Sequence, residues 1–306
     1  MKKKYVYILS QRYSGSTLLS FLLATHPEIV TIGERRKFYN KAIHLNPQET
    51  QVCSCGEQFI DCSFWGKIRQ RVLARVPKKV LRTNFTEFHF FKQKQLNRLA
   101  QWLYQTSVWL GVAPNWRPFA SQVQQMLAAN QILVDETLAI DGHSTFLDSS
   151  KSIEQVLYLS QLEQFDFYVI WLVRDPRAQV SSALKYNDWT VVEAAQRWKK
   201  EMENNAQWLQ KMNLKQVELS YEKLCREPEA EMQRLLQFIG LDPEQFSLNF
   251  REQEQHIMGN RSMRLGSDTT ITERRDWLEK LSLQERQTIE RLTKNFQQYY
   301  TTTEPN

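Results

Sequence analysis

With 306 residues, 42% of them hydrophobic and 24% charged, and only nine Gly and nine Pro, the chain suits one large helix-rich α/β domain; this composition excludes a disordered or collagen-like chain. A formal charge of +6 fits a polyanionic small ligand or an acidic substrate, and equally a merely basic surface. No Lys/Arg run interleaved with aromatics calls for nucleic acid, no stretch approaches transmembrane length, and the apolar run after Met1-Lys2-Lys3-Lys4 stops at Leu9 with no cleavage-like segment behind it, so a cytoplasmic protein is expected.

Tyr5-Val6-Tyr7-Ile8-Leu9-Ser10 is β-branched and aromatic and predicts a short buried strand; a small-residue turn with one Gly follows, and the residues from Thr17 to Leu23 read as helix. A strand feeding a helix through such a turn makes an anion site, because the first N–H groups of a helix lack internal partners and its dipole is positive there. Ser14, Ser16 and Thr17 can add hydroxyl donors, Arg12 can add charge, and Gly15 lets the backbone approach an anion closely. The same Ser-Gly-Ser-Thr also reads as an ordinary turn with a helix N-cap. It is not a Walker loop, since one Gly stands where two are needed and no Lys precedes Ser16 or Thr17.

His26 to Glu34 reads as a break at Pro27, a short strand and a turn. Glu34 is then a candidate general base at the far end of a neighbouring strand, or a surface carboxylate among Arg35, Arg36 and Lys37. Residues 37–140 are expected to form a largely helical insertion within a single domain spanning 1–306, covering one edge of the sheet and supplying much of the acceptor pocket. Its helices are placed around Leu96–Leu110 and Phe119–Leu138, with Leu96, Leu99, Leu103, Val108, Leu110, Trp102 and Trp109 expected in the core. Three of the four cysteines, Cys53, Cys55 and Cys62, lie within ten residues of one another in this region, and the fourth is Cys225. A metal would need a further ligand such as His44 or His89, and the paired spacings of a zinc site are missing; a local disulfide or packed, reduced thiols are expected, and no metal.

Ser144 to Ser152 again reads as strand and polar turn, with helix from Ile153 to Leu162. Lys151 at that turn can stabilise negative charge on a transferred group, or stand in solvent beside an N-cap at Ser150 or Ser152. Phe167 to Val173 is the strongest buried-strand run and ends in Arg174-Asp175-Pro176-Arg177. Ligands of parallel sheets bind beyond the carboxyl ends of the strands, where Arg174 stands; Pro176 opens a helix carrying Ser182, and Arg and Ser can share a phosphate. An Arg-Asp pair at a strand end is also often a structural ion pair. The pattern continues with a helix from Thr190 to Leu209, a strand at Gln216–Leu219, a helix closed by Gly240, and a basic loop from His256 to Gly266 that suggests either a flap over an anion or a plain surface loop. Alternating strands and helices predict a three-layer α/β sandwich with a central parallel sheet.

Together these stretches resemble the sulfotransferases that use 3′-phosphoadenosine 5′-phosphosulfate. Tyr13-Ser14-Gly15-Ser16-Thr17-Leu18-Leu19 is similar to that family's 5′-phosphosulfate loop, and Val173-Arg174-Asp175-Pro176-Arg177 through Ser181-Ser182 to its 3′-phosphate motif. His26-Pro27 with Gly33-Glu34, Asp148-Ser149-Ser150-Lys151, Tyr221-Glu222-Lys223-Leu224, Gly259-Asn260 with Arg264, and the Cys-Ser-Cys-Gly segment resemble bacterial members; only about residues 70–140 fall outside the likeness. Many relatives carry Lys or Arg directly before the Ser-Gly pair, where this chain has Tyr13, with Arg12 one residue earlier.

The resemblance implies a P-loop-like fold and transfer of a sulfonate group to a hydroxyl or amine acceptor, a small molecule or glycan, with no metal. Arg12, the loop from Tyr13 to Leu18 and Lys151 would serve the leaving group and sulfonyl oxygens, Arg174 and Ser182 the 3′-phosphate, and Gly259, Asn260 and Arg264 would close over the nucleotide. Glu34 is the first candidate base, with Asp148 and His143 behind it. Two other functions share parts of the pattern: an atypical kinase, which would need Mg²⁺, and a non-catalytic protein that binds the nucleotide or a sulfated glycan.

Overall fold

The protein, described by a computed structural model over residues 2–44 and 52–301, is built on five strands. Met1, positions 45–51 of the expected insertion and the polar tail 302–306 lie outside the described residues. Strand β1 (Lys3–Ser10) leads to helix α1 (Ser16–Leu23) and the short β2 (Ile29–Thr31). The long segment that follows holds α2 (Ser63–Arg75), α3 (Lys78–Leu81), α4 (Lys94–Trp109) and α5 (Ala120–Leu138). Strand β3 (Thr145–Lys151) and α6 (Ile153–Leu159) precede β4 (Phe165–Val173), α7 (Pro176–Leu184) and α8 (Val191–Met212). Strand β5 (Lys215–Ser220) enters α9 (Tyr221–Arg226) and α10 (Pro228–Ile239), and the chain ends in α11 (Arg261–Leu265), α12 (Trp277–Lys280) and α13 (Leu283–Leu292).

The strands form one all-parallel sheet in the order β2-β3-β1-β4-β5. Strand β1 is central, and Tyr5 to Leu9 are wholly buried. Successive side chains of a strand point to opposite faces. Val6 and Ile8 accordingly pack under α1, α9 and α10, whereas Tyr5, Tyr7 and Leu9 join a core with Trp65 of α2, Leu133 of α5 and Val156 of α6. The apolar interior of the 37–140 region is thus continuous with one face of the sheet. Because all five strands run one way, Ser10, Thr31, Lys151, Val173 and Ser220 finish at the same edge, and the connections from β1 diverge to both sides of it.

Helix α4 corrects an expectation. Its buried residues are Asn97, Ala100, Tyr104 and Ser107, while Leu96, Leu99, Trp102, Leu103, Trp109 and Leu110 are exposed, Trp102 by 58% and Leu110 by 72%. A helical period identifies the helix but not the side that faces the core. Asn97 decides the side here, since its amide oxygen accepts from the backbone N–H of Phe90 at 2.7 Å and ties the helix to the preceding turn.

Candidate active site

The loop joining β1 to α1 is held from below by a polar network. Gln179 of α7 donates from Nε2 to the Arg12 carbonyl at 2.8 Å and to Gln11 Oε1 at 2.9 Å, and accepts at Oε1 from Trp198 Nε1 at 3.1 Å. Ser14 Oγ donates back to the Gln11 carbonyl at 2.8 Å. Helix α1 has no side-chain cap, so the N–H groups of its first turn face outward from an uncapped end. Gly15, the residue before it, has φ +91°, and a Cβ there would stand 2.3 Å from the Tyr221 ring. No other residue type fits that contact. Tyr13 also has positive φ, +66°, and stacks on Tyr186 with ring centres 5.3 Å apart.

Arg174 leaves the end of β4 and meets this loop directly. Its Nη1 donates to the Tyr13 carbonyl at 2.8 Å, and its guanidinium lies 4.6 Å above the Tyr221 ring. The residue is only 8% exposed, yet its Nε has no hydrogen-bond partner, and neither does the buried Ser10 Oγ at the end of β1. The unpaired Nε of Arg174, on a guanidinium tied to the loop before the open start of α1, makes this a place suited to anionic oxygens. Ser182 sits two turns along α7 with its hydroxyl donated to the Ala178 carbonyl at 2.9 Å, a bond it must exchange in order to donate to a phosphate. Arg12 is exposed at the mouth of the loop.

At the neighbouring strand end Lys151 donates to Glu34 at 2.8 Å, and Lys37 approaches the same carboxylate at 2.9 Å. Burial alone would raise the Glu34 carboxyl, but Lys151 and Lys37 outweigh it and hold it near 2. Lys151 is itself pulled down by burial, against the attraction of Glu34. It is a second non-glycine residue with positive φ, +74°, where the β1–β3 ladder shifts register between Tyr7 and Leu9. Beyond this pair opens a cleft of about 310 Å³ whose walls include Arg36, His89, Arg98, Gln101, Trp102 and Glu154.

Asp148 and His143 do not reach this place. Asp148 is wholly buried and accepts from Arg35 Nε at 2.9 Å, Tyr5 Oη at 2.8 Å and the Ser150 N–H at 2.9 Å, so no acceptor proton can approach it. It is the counter-ion of Arg35, a guanidinium with no solvent exposure that also binds Asn130 and Gln155. Asp148→Ala would strand that charge, and a loss of about 3–5 kcal/mol of stability is expected in denaturant unfolding; an unchanged midpoint would refute the assignment. His143 precedes β3 and binds the Pro27 carbonyl at the amino end of the sheet, the wrong edge.

The basic loop lies over α1. The Asn260 N–H donates to Thr17 Oγ1 at 3.2 Å, and a Cβ on Gly259 would stand 2.8 Å from the same oxygen. Met258 bridges to Gly33, whose φ of +74° permits the close approach. Arg264 is tied inward to the carbonyls of Gly259 and Val52. Sequence reading did not single out Gln179, Tyr186 or Glu201. Glu201 of α8 has surface open to solvent, yet desolvation of its carboxyl and the charge of Glu154 push it up to about 7 against the pull of Arg12. Gln179 and Tyr186 carry no local pattern, because each acts on the loop after β1, far away in the chain.

Residues 6–245 match the sequence profile of the Sulfotransferase family, and the chain belongs to that family. It is a transferase of the sulfotransferase kind. Among solved structures it is similar to the sulfotransferase domain of the Synechococcus PCC 7002 olefin synthase, at 16% identity over 97% of this chain and 96% of that one, with a TM-score of 0.50. That likeness shows the P-loop-like α/β fold. The sulfotransferase domain of the curacin biosynthetic pathway aligns at 16% identity over 99% and 93% of the two chains (TM-score 0.45), and a mouse sulfotransferase complexed with PAP at 12% over 98% and 86% (TM-score 0.43). No curated protein matches.

Proposed function

We propose that this protein transfers a sulfonate group from 3′-phosphoadenosine 5′-phosphosulfate to a hydroxyl acceptor, and that 1–306 act as one domain with the 37–140 region forming the acceptor wall. The observation that carries the donor assignment is the Arg174 guanidinium, buried against the Tyr13 carbonyl with Nε unsatisfied, beside the uncapped start of α1. The residues suit a nucleotide with phosphate at one end and phosphosulfate at the other. The N–H groups of Ser16, Thr17 and Leu18 with the Ser16 and Thr17 hydroxyls would hold the 5′ end, Arg174 and Ser182 the 3′-phosphate, and Gly259-Asn260 the nucleotide from above. The donor supplies an activated sulfonyl group whose leaving oxygen gains negative charge. Lys151 and Arg12 would stabilise that charge, and the loop would fix the reacting atoms in line.

The cleft beyond Lys151 combines Trp102 and Tyr158 with the side-chain amides of Gln101, Gln105 and Gln155, a set that suits a polyhydroxylated acceptor such as a glycan. Glu34 is too acidic for an efficient base at neutral pH and instead positions Lys151, whereas Glu201, held up to about 7 near the charges of Glu154 and Arg12, is the candidate base of this reading. A base must be deprotonated to act. Turnover is therefore expected to fall tenfold per pH unit below about 7 and to level above it, with Glu201→Gln abolishing that acidic limb while Glu34→Gln leaves it in place. An unchanged limb in Glu201→Gln would remove Glu201 from the mechanism. The activity itself is tested by incubating the protein with labelled phosphosulfate donor and an acceptor panel weighted to glycans. Labelled product without added Mg²⁺ is expected; failure both to label an acceptor and to bind 3′-phosphoadenosine 5′-phosphate would overturn the proposal.

A further inference from the structure

The clustered cysteines meet a partner far along the chain. Cys53, Cys55, Cys62 and His256 each place a ligand atom within 4.8 Å of all the others. The fourth group is His256, not the His44 or His89 considered from sequence, and of the two expectations, a local disulfide or packed, reduced thiols, the structure has the free thiols. Cys55 Sγ lies 3.7 Å from Cys62 Sγ, and His256 Nδ1 lies 3.6 Å from Cys53 Sγ and 3.4 Å from Cys62 Sγ. Zn–S bonds of about 2.3 Å and a Zn–N bond of about 2.0 Å give a tetrahedron with edges of about 3.8 Å between sulfurs and about 3.5 Å between sulfur and nitrogen. These three separations match those edges, and the other three lie within 4.8 Å.

We propose that Cys53, Cys55, Cys62 and His256 bind one Zn²⁺ ion in a structural Cys₃His site. The surroundings are arranged for it. His256 turns Nε2 toward the Glu254 carboxylate at 3.5 Å and Nδ1 toward Cys53 and Cys62, so Nδ1 is the nitrogen placed to ligate a metal. Phe64 stacks on the imidazole at 4.5 Å and fixes its plane, and Trp65 donates its indole N–H to Cys53 Sγ at 3.3 Å, a bond that favours the thiolate. On binding, three S–H bonds give way to three Zn–S bonds and one Zn–N bond forms, with as many as three protons released to solvent and no change of oxidation state. Four protein ligands leave no open coordination position, so the ion is structural rather than catalytic.

The site joins two distant parts of the chain. The loop at 52–62 opens α2, and His256 immediately precedes the Met258–Asn260 stretch that lies on Gly33 and Thr17. Zinc would hold that stretch in place over α1. This last consequence rests on the nucleotide site proposed above, whereas the presence of metal does not.

The test is the metal content of the full-length protein, purified without added metal and dialysed. One zinc per chain is expected by elemental analysis, released when a mercurial titrates the thiols. Replacement by Co²⁺ should give the thiolate charge-transfer and intense visible bands of tetrahedral cobalt. Cys55→Ser and His256→Ala should lose the bound zinc, while Cys225→Ser, outside the cluster, should retain it. Should either ligand variant fail to fold, the content and cobalt spectrum of the unaltered protein still decide. Four reactive thiols with no zinc or cobalt uptake, a Cys55–Cys62 disulfide, or iron in place of zinc would each overturn the proposal. A zinc-free protein that binds 3′-phosphoadenosine 5′-phosphate as tightly as the zinc form would refute the link to the nucleotide stretch alone.

Discussion

Lys151→Met should lower kcat by about 10²–10³ while changing the affinity for 3′-phosphoadenosine 5′-phosphate by less than about tenfold. Lys151 ends β3 in a left-handed backbone conformation that a side chain with Cβ adopts only at a cost of about 1–3 kcal/mol. The register shift opposite Leu9 and the ion pair with Glu34 hold it there, 17% exposed, beside the β1–α1 loop. A cation fixed in a site this dry needs no reorganisation when charge grows on a departing oxygen, so its effect falls on the transition state more than on bound nucleotide. Arginine at this position would keep the charge but not the geometry, and partial activity is expected. Single-turnover rates with saturating donor are the measurement. A fall in affinity without a fall in rate would move Lys151 from the chemistry to nucleotide binding.

Arg174→Ala has the second large expected effect, and it falls on binding. Two charge-assisted bonds to a phosphate contribute about 3 kcal/mol or more, a loss on the order of 100-fold in nucleotide affinity. Removing the guanidinium also releases the Tyr13 carbonyl and the face of Tyr221, the ring that lies on Gly15. Arg174→Lys should recover only part of the loss, since an ammonium cannot span the loop carbonyl and a phosphate with the same fork. Calorimetric titration with 3′-phosphoadenosine 5′-phosphate, alongside thermal unfolding to exclude a folding defect, measures it. Unchanged affinity in a folded Arg174→Ala variant would place the 3′-phosphate elsewhere.

The strands and most helices were legible because their signals are local. The strand read from Tyr5 extends from Lys3 to Ser10, and the run from Phe167 to Val173 gained two residues at its start. The helix read from Thr190 to Leu209 begins at Val191, where Thr190 and Glu193 form a capping box, and continues to Met212. The loop at Ser14–Thr17 and the arginine after Val173 were legible for the same reason. Asp148 and Lys151 were harder, since both fall in one short polar stretch at the end of β3. Only packing separates them: Arg35, from another element, takes the first into the core, and the second, at a left-handed φ, reaches Glu34.

By itself the order of residues determined the alternation of strands and helices, the small-residue loop after β1 and the charged strand ends, because these depend on neighbours a few positions apart. Tertiary structure alone decided which side of α4 meets the core, which carboxylate is buried as a counter-ion, and that His256 joins the cysteines 203 positions away from Cys53. Such outcomes depend on which surfaces the closing sheet brings together. No local propensity encodes a contact between segments whose separation in the chain is erased only by folding.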